Sequence, residues 1–238
     1  LNAYLQETND FSILEETVAY VNGPAESLYE HCKRAIERSF SRFSPRGVPL
    51  MGDHDWNDGL NAVGTQLKGE SFWVAEFLYM ILGDFIPLAH WQGDAQLAQK
   101  CQDVRESIKR SFECFGWDGE WYLQATTDAG LPLGSKDNTE GKIFLMPNIW
   151  AVISGLAGPE RAHQAMESVS RYLLKEYGTL LNFPAFTKPR SDIGYVTRYA
   201  PGLRENGGVY THAATWSVWA YTLMDQPELA YEAYRRIC

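Results

Sequence analysis

The stretch from Glu70 to Trp91, ESFWVAEFLYMILGDFIPLAHW, decides the fold. Phe72, Trp73, Val74, Phe77, Leu78, Met80, Ile81, Leu82 and Phe85 leave almost no polar face, and a helix apolar nearly all round is buried among others. After it, Ala95 to Phe115 sets Leu97, Cys101, Val104, Ile108 and Phe112 on one stripe with charges opposite, which predicts an amphipathic helix. Before it, Gly23-Pro24 opens a predicted helix with Leu28, Tyr29, Cys32, Ala35, Ile36 and Phe40 on its apolar face. Long helices alternating between buried and amphipathic predict an all-α chain built as two layers of helix. No run of Val- and Ile-rich strands separates them, so a parallel sheet is excluded.

The flanking segments are read in the same way. Leu1 to Ile13 is a helix tail followed by an Asn9-Asp10 turn. Trp117 to Phe144 is dense in Asp-Gly and Gly-Ser turns and reads as an irregular insertion of short strands. Helices resume at Pro147-Asn148-Ile149-Trp150 and from Pro159 to Tyr177, with Ala162, Ala165, Met166, Val169, Tyr172 and Leu173 on the buried face. Leu180 to Tyr199, with Pro184 and Pro189, reads as extended loop; Ala213 to Met224 and a segment from Pro227 read as the last helices.

Composition limits the function. With 238 residues, 45% of them hydrophobic, the chain can bury a full core and form one domain. Eight Trp and thirteen Tyr exceed what packing needs and suit a ring-binding cleft. A net charge of −9 excludes nucleic acid as partner, since phosphate backbones need a basic face. Cys32, Cys101, Cys114 and Cys238 form no CxxC pair and read as buried free thiols in a reducing, cytoplasmic setting. No uninterrupted apolar run reaches the ~20 residues of a membrane span. The chain begins without Met and stops inside a helical pattern, as a piece of a longer protein would.

Two polar clusters carry chemistry. Asp53, His54, Asp55, Trp56, Asn57, Asp58 and Asn61 fall in one short run punctuated by Gly52, Gly59, Gly64 and Gly69. Such a run suits the rim of a cleft, or an Asx-turn loop in which Asp and Asn cap their own backbone. Its spacing matches no zinc or calcium loop, so no metal is expected. The second cluster runs from Tyr199 to His212 and holds Arg204, Glu205, Asn206 and Gly207-Gly208. The glycine pair can offer N–H groups as an anion nest, with Arg204 and His212 as cationic donors. The plain alternatives are a local Arg204–Glu205 ion pair and a histidine that merely starts a helix.

The residues carry a resemblance. Asp55-Trp56-Asn57-Asp58-Gly59 followed by Gly69-Glu70-Ser71 resembles the catalytic loop of the inverting sugar phosphorylases of glycoside hydrolase family 94. Gly134-Ser135, Glu140 to Phe144, Trp150 to Gly155, Pro201-Gly202, and Arg204 to Gly208 with Thr211-His212 follow in the same order. The resemblance implies an (α/α)6 barrel, of which this chain is an incomplete part. It implies Asp58 as general acid, Trp56 in the glycosyl subsite, Tyr199, Arg204 and Glu205 lining the sugar site, and His212 on phosphate. Tyr195 stands where the cellobiose branch has an acceptor-contacting Glu, as in the cyclic glucan synthase-like branch.

The implied reaction is phosphorolysis of a β-linked gluco-disaccharide or oligosaccharide to an α-sugar 1-phosphate with inversion. Inorganic phosphate is then the co-substrate and no cofactor is needed; a homodimer is a further expectation. An inverting hydrolase would need a second carboxylate as base, ~6.5–9.5 Å from the acid, for which Asp53 or Glu205 are the candidates. A non-catalytic sugar-binding fragment is the third reading.

Overall fold

The computed structural model describes residues 1–238, which fall into two compact units: 1–43 with 81–105, and 44–80 with 106–238. In the first unit, α1 (Asn2–Thr8) ends on Asn9, a left-handed residue at φ 54° whose N–H returns to the Leu5 carbonyl. The strands β1 (Thr17–Ala19) and β2 (Ala25–Ser27) then form an antiparallel hairpin. The helix expected from Gly23-Pro24 therefore begins later, as α2 (Leu28–Ser39). Pro24 belongs to the hairpin turn, its carbonyl accepting the Tyr20 N–H, and Ser27 is the true cap, accepting the Glu30 N–H at 3.3 Å.

Next, β3 (Glu70–Ser71) leads directly into α3 (Phe72–Trp91), whose residues from Ile81 onward belong to the first unit. There Tyr29 stacks on Phe85 at 5.4 Å, and Ile36, Leu82, Leu97 and Cys101 are buried too. The helix α4 (Ala95–Phe115) occupies the predicted span. Asp94 fixes its start by accepting the Leu97 N–H at 3.1 Å while pairing with Lys33 at 2.6 Å.

The second unit holds the remaining elements. The strands β4 (Ala125–Thr126) and β5 (Pro132–Leu133) join β3 in a three-stranded antiparallel sheet. They are followed by β6 (Ile143–Phe144), α5 (Leu145–Ile153), α6 (Pro159–Tyr172), β7 (Leu174–Lys175), β8 (Gly178–Thr179), β9 (Asn182–Phe183), α7 (Thr211–Leu223) and α8 (Pro227–Arg235). The helix predicted to reach Tyr177 stops at Tyr172, because Leu174 and Lys175 pair back onto Gly178 and Thr179. Gly178, at φ 131°, makes that reversal possible where a side chain would be strained.

The chain is thus helical with small sheets of two or three strands. One core cluster joins Trp73, Trp121, Ile149, Trp150, Met166, Val169 and Tyr221; another joins Met51, Leu60, Val63, Phe144, Phe186, Ile193 and Val196. The 20-residue α3 contains a window with a mean hydropathy of 1.5 and is, by length and composition, apolar enough to cross a membrane. No apolar run of that length was expected; Glu76 and Asp84 fall inside this one. More than half of the apolar window is buried inside the fold, as in a core helix. All four cysteines are free, but Cys114 and Cys238 are exposed and Cys32 is only half-buried, so burial accounts for Cys101 alone.

Candidate active site

The first polar loop divides into an inner and an outer set. Asp55 is buried, its Oδ1 accepting the Asn57 N–H at 2.9 Å and its Oδ2 accepting Ser71 Oγ and Gln124 Nε2, both at 2.8 Å. Burial pushes the Asp55 carboxyl up to about 6 despite those three donors. Asn57 is also buried, and its Oδ1 accepts the Gly59 N–H at 3.0 Å to start the 3-10 turn Asp58–Leu60. The Asx-turn reading therefore describes Asp55 and Asn57. Asp53, His54 and Asp58 face outward; the Asp58 side chain is 88% exposed, with His54 Nε2 3.5 Å from its Oδ1.

This turn lies directly on the 3-10 turn Tyr195–Arg198. A Cβ on Gly59 would come within 3.1 Å of the Val196 backbone nitrogen, so a side chain there would press on the neighbouring turn. Asn61 Oδ1 accepts the Tyr195 N–H at 3.0 Å, which ties the two segments together. Tyr195 itself is exposed, with the Arg198 guanidinium 4.7 Å over its ring.

In the second loop Asn206 is the inner residue. Its Oδ1 accepts the Phe186 N–H at 2.7 Å and its Nδ2 donates to the Phe186 and Tyr199 carbonyls at 2.8 Å. The glycine pair does not act as expected. Gly207 N–H donates to Asn182 Oδ1 at 2.6 Å, and a Cβ on Gly208 would lie 2.5 Å from the Arg204 carbonyl. The pair lets the turn close on itself; it is not an open anion nest. Arg204 sits at φ 51°, with its guanidinium 4.7 Å over the Tyr199 ring and its Nε 3.4 Å from Glu205 Oε2. That contact is an ion pair by distance but not an aligned hydrogen bond, and Oε2 is left buried without a donor. Glu205 is 6% exposed.

The two clusters meet through rings. Trp56, from the first loop, lies 5.5 Å from the His212 imidazole and 5.5 Å from the Tyr210 ring. His212 is exposed on the first turn of α7 and lies 4.3 Å from Trp216. A residue from each polar cluster thus shares one aromatic patch.

One group escaped the sequence reading. Glu76 on α3 is fully buried, and neither carboxyl oxygen has a hydrogen-bond partner. Burial, and then the charge of Asp55, hold its carboxyl well above the usual range. A lone acid inside an apolar helix was the available signal, since such a group must be neutral or paired. Glu70 shows the opposite case. Burial raises its carboxyl, but Arg46, Ser44 and Thr126 more than offset this and leave it below its usual range.

Residues 1–238 match the family model described as the glycosyl hydrolase 94 superfamily, catalytic domain. The chain belongs to this family. It is 38% identical over 238 residues to solabiose phosphorylase of Paenibacillus borealis, covering 100% of this chain and 31% of that protein. It is 34% identical over 254 residues to cyclic beta-(1,2)-glucan synthase NdvB of Rhizobium meliloti (strain 1021), covering 98% of this chain and 9% of that one. The chain therefore spans less than a third of the length of these relatives. A solved sialidase structure matches with a TM-score of 0.64 at 12% identity, over 87% of this chain and 19% of that one, a likeness of fold alone.

Within this glycosyl hydrolase 94 chain, the motif residues sort by burial. Asp58, Arg204 and His212 are exposed, Trp56 and Tyr199 half-buried, and Glu205 buried. Glu140 is a loop staple, its carboxylate accepting the Thr187 N–H at 3.1 Å. A cleft of about 600 Å³, lined by Leu5, Phe11, Pro87 and Trp91 in the first unit, contains none of the motif residues.

Proposed function

We propose that the chain is the acid-bearing part of an (α/α)6-barrel catalytic domain in an inverting glycoside phosphorylase. Its substrates are a β-linked gluco-disaccharide or oligosaccharide and inorganic phosphate, and its product is an α-sugar 1-phosphate. The observation that carries this reading is the contact between Trp56 and His212, 5.5 Å apart, which joins the acid loop to the histidine cluster. The phosphorylase name of the 38% identical relative supports it.

Each residue then has a task. Asp58, exposed at the start of its 3-10 turn, protonates the glycosidic oxygen, a role typically worth ~10²–10⁴-fold in rate. Trp56 offers a ring to the glycosyl unit. Tyr199, Arg204 and Glu205 line the sugar site, with Glu205 ion-paired to the exposed Arg204. His212 donates to the incoming phosphate. Phosphate is already a nucleophile and needs positioning rather than deprotonation, so one acid suffices and neither metal nor organic cofactor is invoked. A homodimer in the cytoplasm completes the proposal, the four free thiols suiting a reducing compartment.

The test is phosphate dependence. The full-length protein is incubated with β-linked glucobioses with and without inorganic phosphate, and α-sugar 1-phosphate is followed by phosphorus NMR. Cleavage that proceeds equally without phosphate sinks the proposal and favours an inverting hydrolase with Asp53 or Glu205 as base. Binding without any turnover favours the sugar-binding reading.

A further inference from the structure

We propose that Trp216 is a positioning residue for phosphate capture, its indole bracing the His212 imidazole against Trp56. The inference deepens the reading of His212 as the phosphate ligand and rests on it. Trp216 follows His212 by one helical turn on α7, where side chains four apart lie on one face. Its ring centroid is 4.3 Å from His212 at 53° and 5.5 Å from Trp56 at 60°. Below it lies a stack of buried indoles. Trp216 packs edge-on at 5.2 Å against Trp150, which is 4% exposed and itself packs edge-on at 5.9 Å against buried Trp73.

The chemistry explains why a ring should do this work. An imidazole can be oriented by a hydrogen bond to one nitrogen, but that nitrogen is then lost to the ligand. The His212 ring is held by aromatic faces instead, and both nitrogens stay available to an anion. An exposed histidine on a first helical turn otherwise samples several rotamers, and ordering it on binding weakens the complex. Trp216 and Trp56 remove that freedom in advance. The same indole touches the sugar-side ring and the phosphate-side ring, so a shift in one is felt by the other.

The experiment titrates inorganic phosphate into the full-length protein by calorimetry, with Trp216→Leu made alone and together with His212→Ala. An aromatic contact of this kind corresponds to about a 2- to 12-fold change in affinity. Trp216→Leu is expected to weaken phosphate binding by that factor, and to add nothing once His212 is already alanine. A structural role alone predicts the same loss in both backgrounds, and that result overturns the inference. So does an unchanged affinity in Trp216→Leu when His212→Ala has weakened it; the phosphate reading of His212 then stands. If His212→Ala itself leaves phosphate binding intact, both the reading and the inference fall. Trp216→Phe keeps an aromatic face on His212 and is expected within about twofold of wild type. It carries the comparison if the leucine variant does not fold, and a greater loss that persists with His212→Ala counts against the proposal.

Discussion

The loop from Asp53 to Asn61 and the loop from Tyr199 to His212 both turn some polar residues inward and present others to solvent, but their inner anchors differ in kind. The first is held by Asp55, an acid in a dry site, with three donors on it and unpartnered Glu76 close enough to feel its charge. The second is held by Asn206, a neutral amide with three hydrogen bonds to backbone, and by two glycines packed against carbonyl oxygens. One anchor titrates and the other does not. The loop proposed to supply a proton is therefore tied to the core through groups that themselves respond to pH.

The largest expected effect lies in the outer residue of the first loop. Asp58→Asn in the full-length protein should slow cleavage of an ordinary β-glucoside by at least ~100-fold, the usual contribution of a general acid. A substrate with an activated leaving group needs no proton and should be affected far less. Equal losses on both substrates would remove Asp58 from the acid role. His212→Ala, the matching change in the second loop, should raise the phosphate requirement about 10- to 150-fold. That range corresponds to one charge-assisted hydrogen bond, ~1.5–3 kcal/mol. Phosphate saturation and melting temperature, measured together, separate this from a histidine that only starts a helix; the latter predicts lower stability with saturation intact.

The anchors can be broken in turn. Asn206→Ala removes three hydrogen bonds and should cost about 3 kcal/mol at any pH between 4 and 8. Asp55→Ala strands Ser71, Gln124 and the Asn57 N–H, and should cost about 2–4 kcal/mol near pH 4. Here the sign matters. Because folding raises the Asp55 carboxyl from 3.8 to about 6, its contribution is complete below pH 4 and is lost as pH rises toward 6. A shift of about 2 units amounts to about 3 kcal/mol, so the deficit of the Asp55→Ala variant should nearly vanish by pH 7. Denaturant midpoints of both variants across this range check it. Parallel pH profiles for the two would erase the distinction between the loops.

Where sequence reading succeeded and failed follows the range of the forces involved. The bounds of α4 were legible because a one-sided apolar stripe is a local signal; the Asp94 cap at its start was not read. The starts of α6 and α8 were marked by Pro159 and Pro227. Gly23-Pro24 gave the same signal falsely, since residues 25–27 pair with a strand and Ser27 outcompetes the proline as the cap. The polar loop was visible as chemistry, yet which of its aspartates goes inside was not. That choice is made by Ser71 and Gln124, the latter 69 residues away. Gly207-Gly208 looked like an anion nest because close approach and anion binding use the same residue, and only the Asn182 contact tells them apart. The meeting of Trp56 with His212 depends on how the loops fold and no local spacing encodes it.

The smallest effect is also the sharpest test of the titrating anchor. The charge of Asp55 acts on Glu76, and a charge on Glu76 acts on the Tyr122 phenol in the segment before β4. Burial and the Asp55 charge both disfavour the ionised form, so the folded state favours the protonated acid. Glu76→Gln keeps shape and volume, has no hydrogen bond to lose and cannot ionise. It should lie within about 1 kcal/mol of wild type at pH 4.5, the usual range for a volume-conserving change. Above that pH the unfolded wild type releases the proton while the folded chain retains it, so wild-type stability falls as pH rises toward the elevated folded value. The glutamine variant escapes this loss and should become the more stable of the two by pH 8. A difference that stays constant from pH 4.5 to 9 would mean that Glu76 is charged in the native fold. The first loop would then lie over a fixed charge, and its difference from the amide-anchored loop would rest on the titration of Asp55 alone.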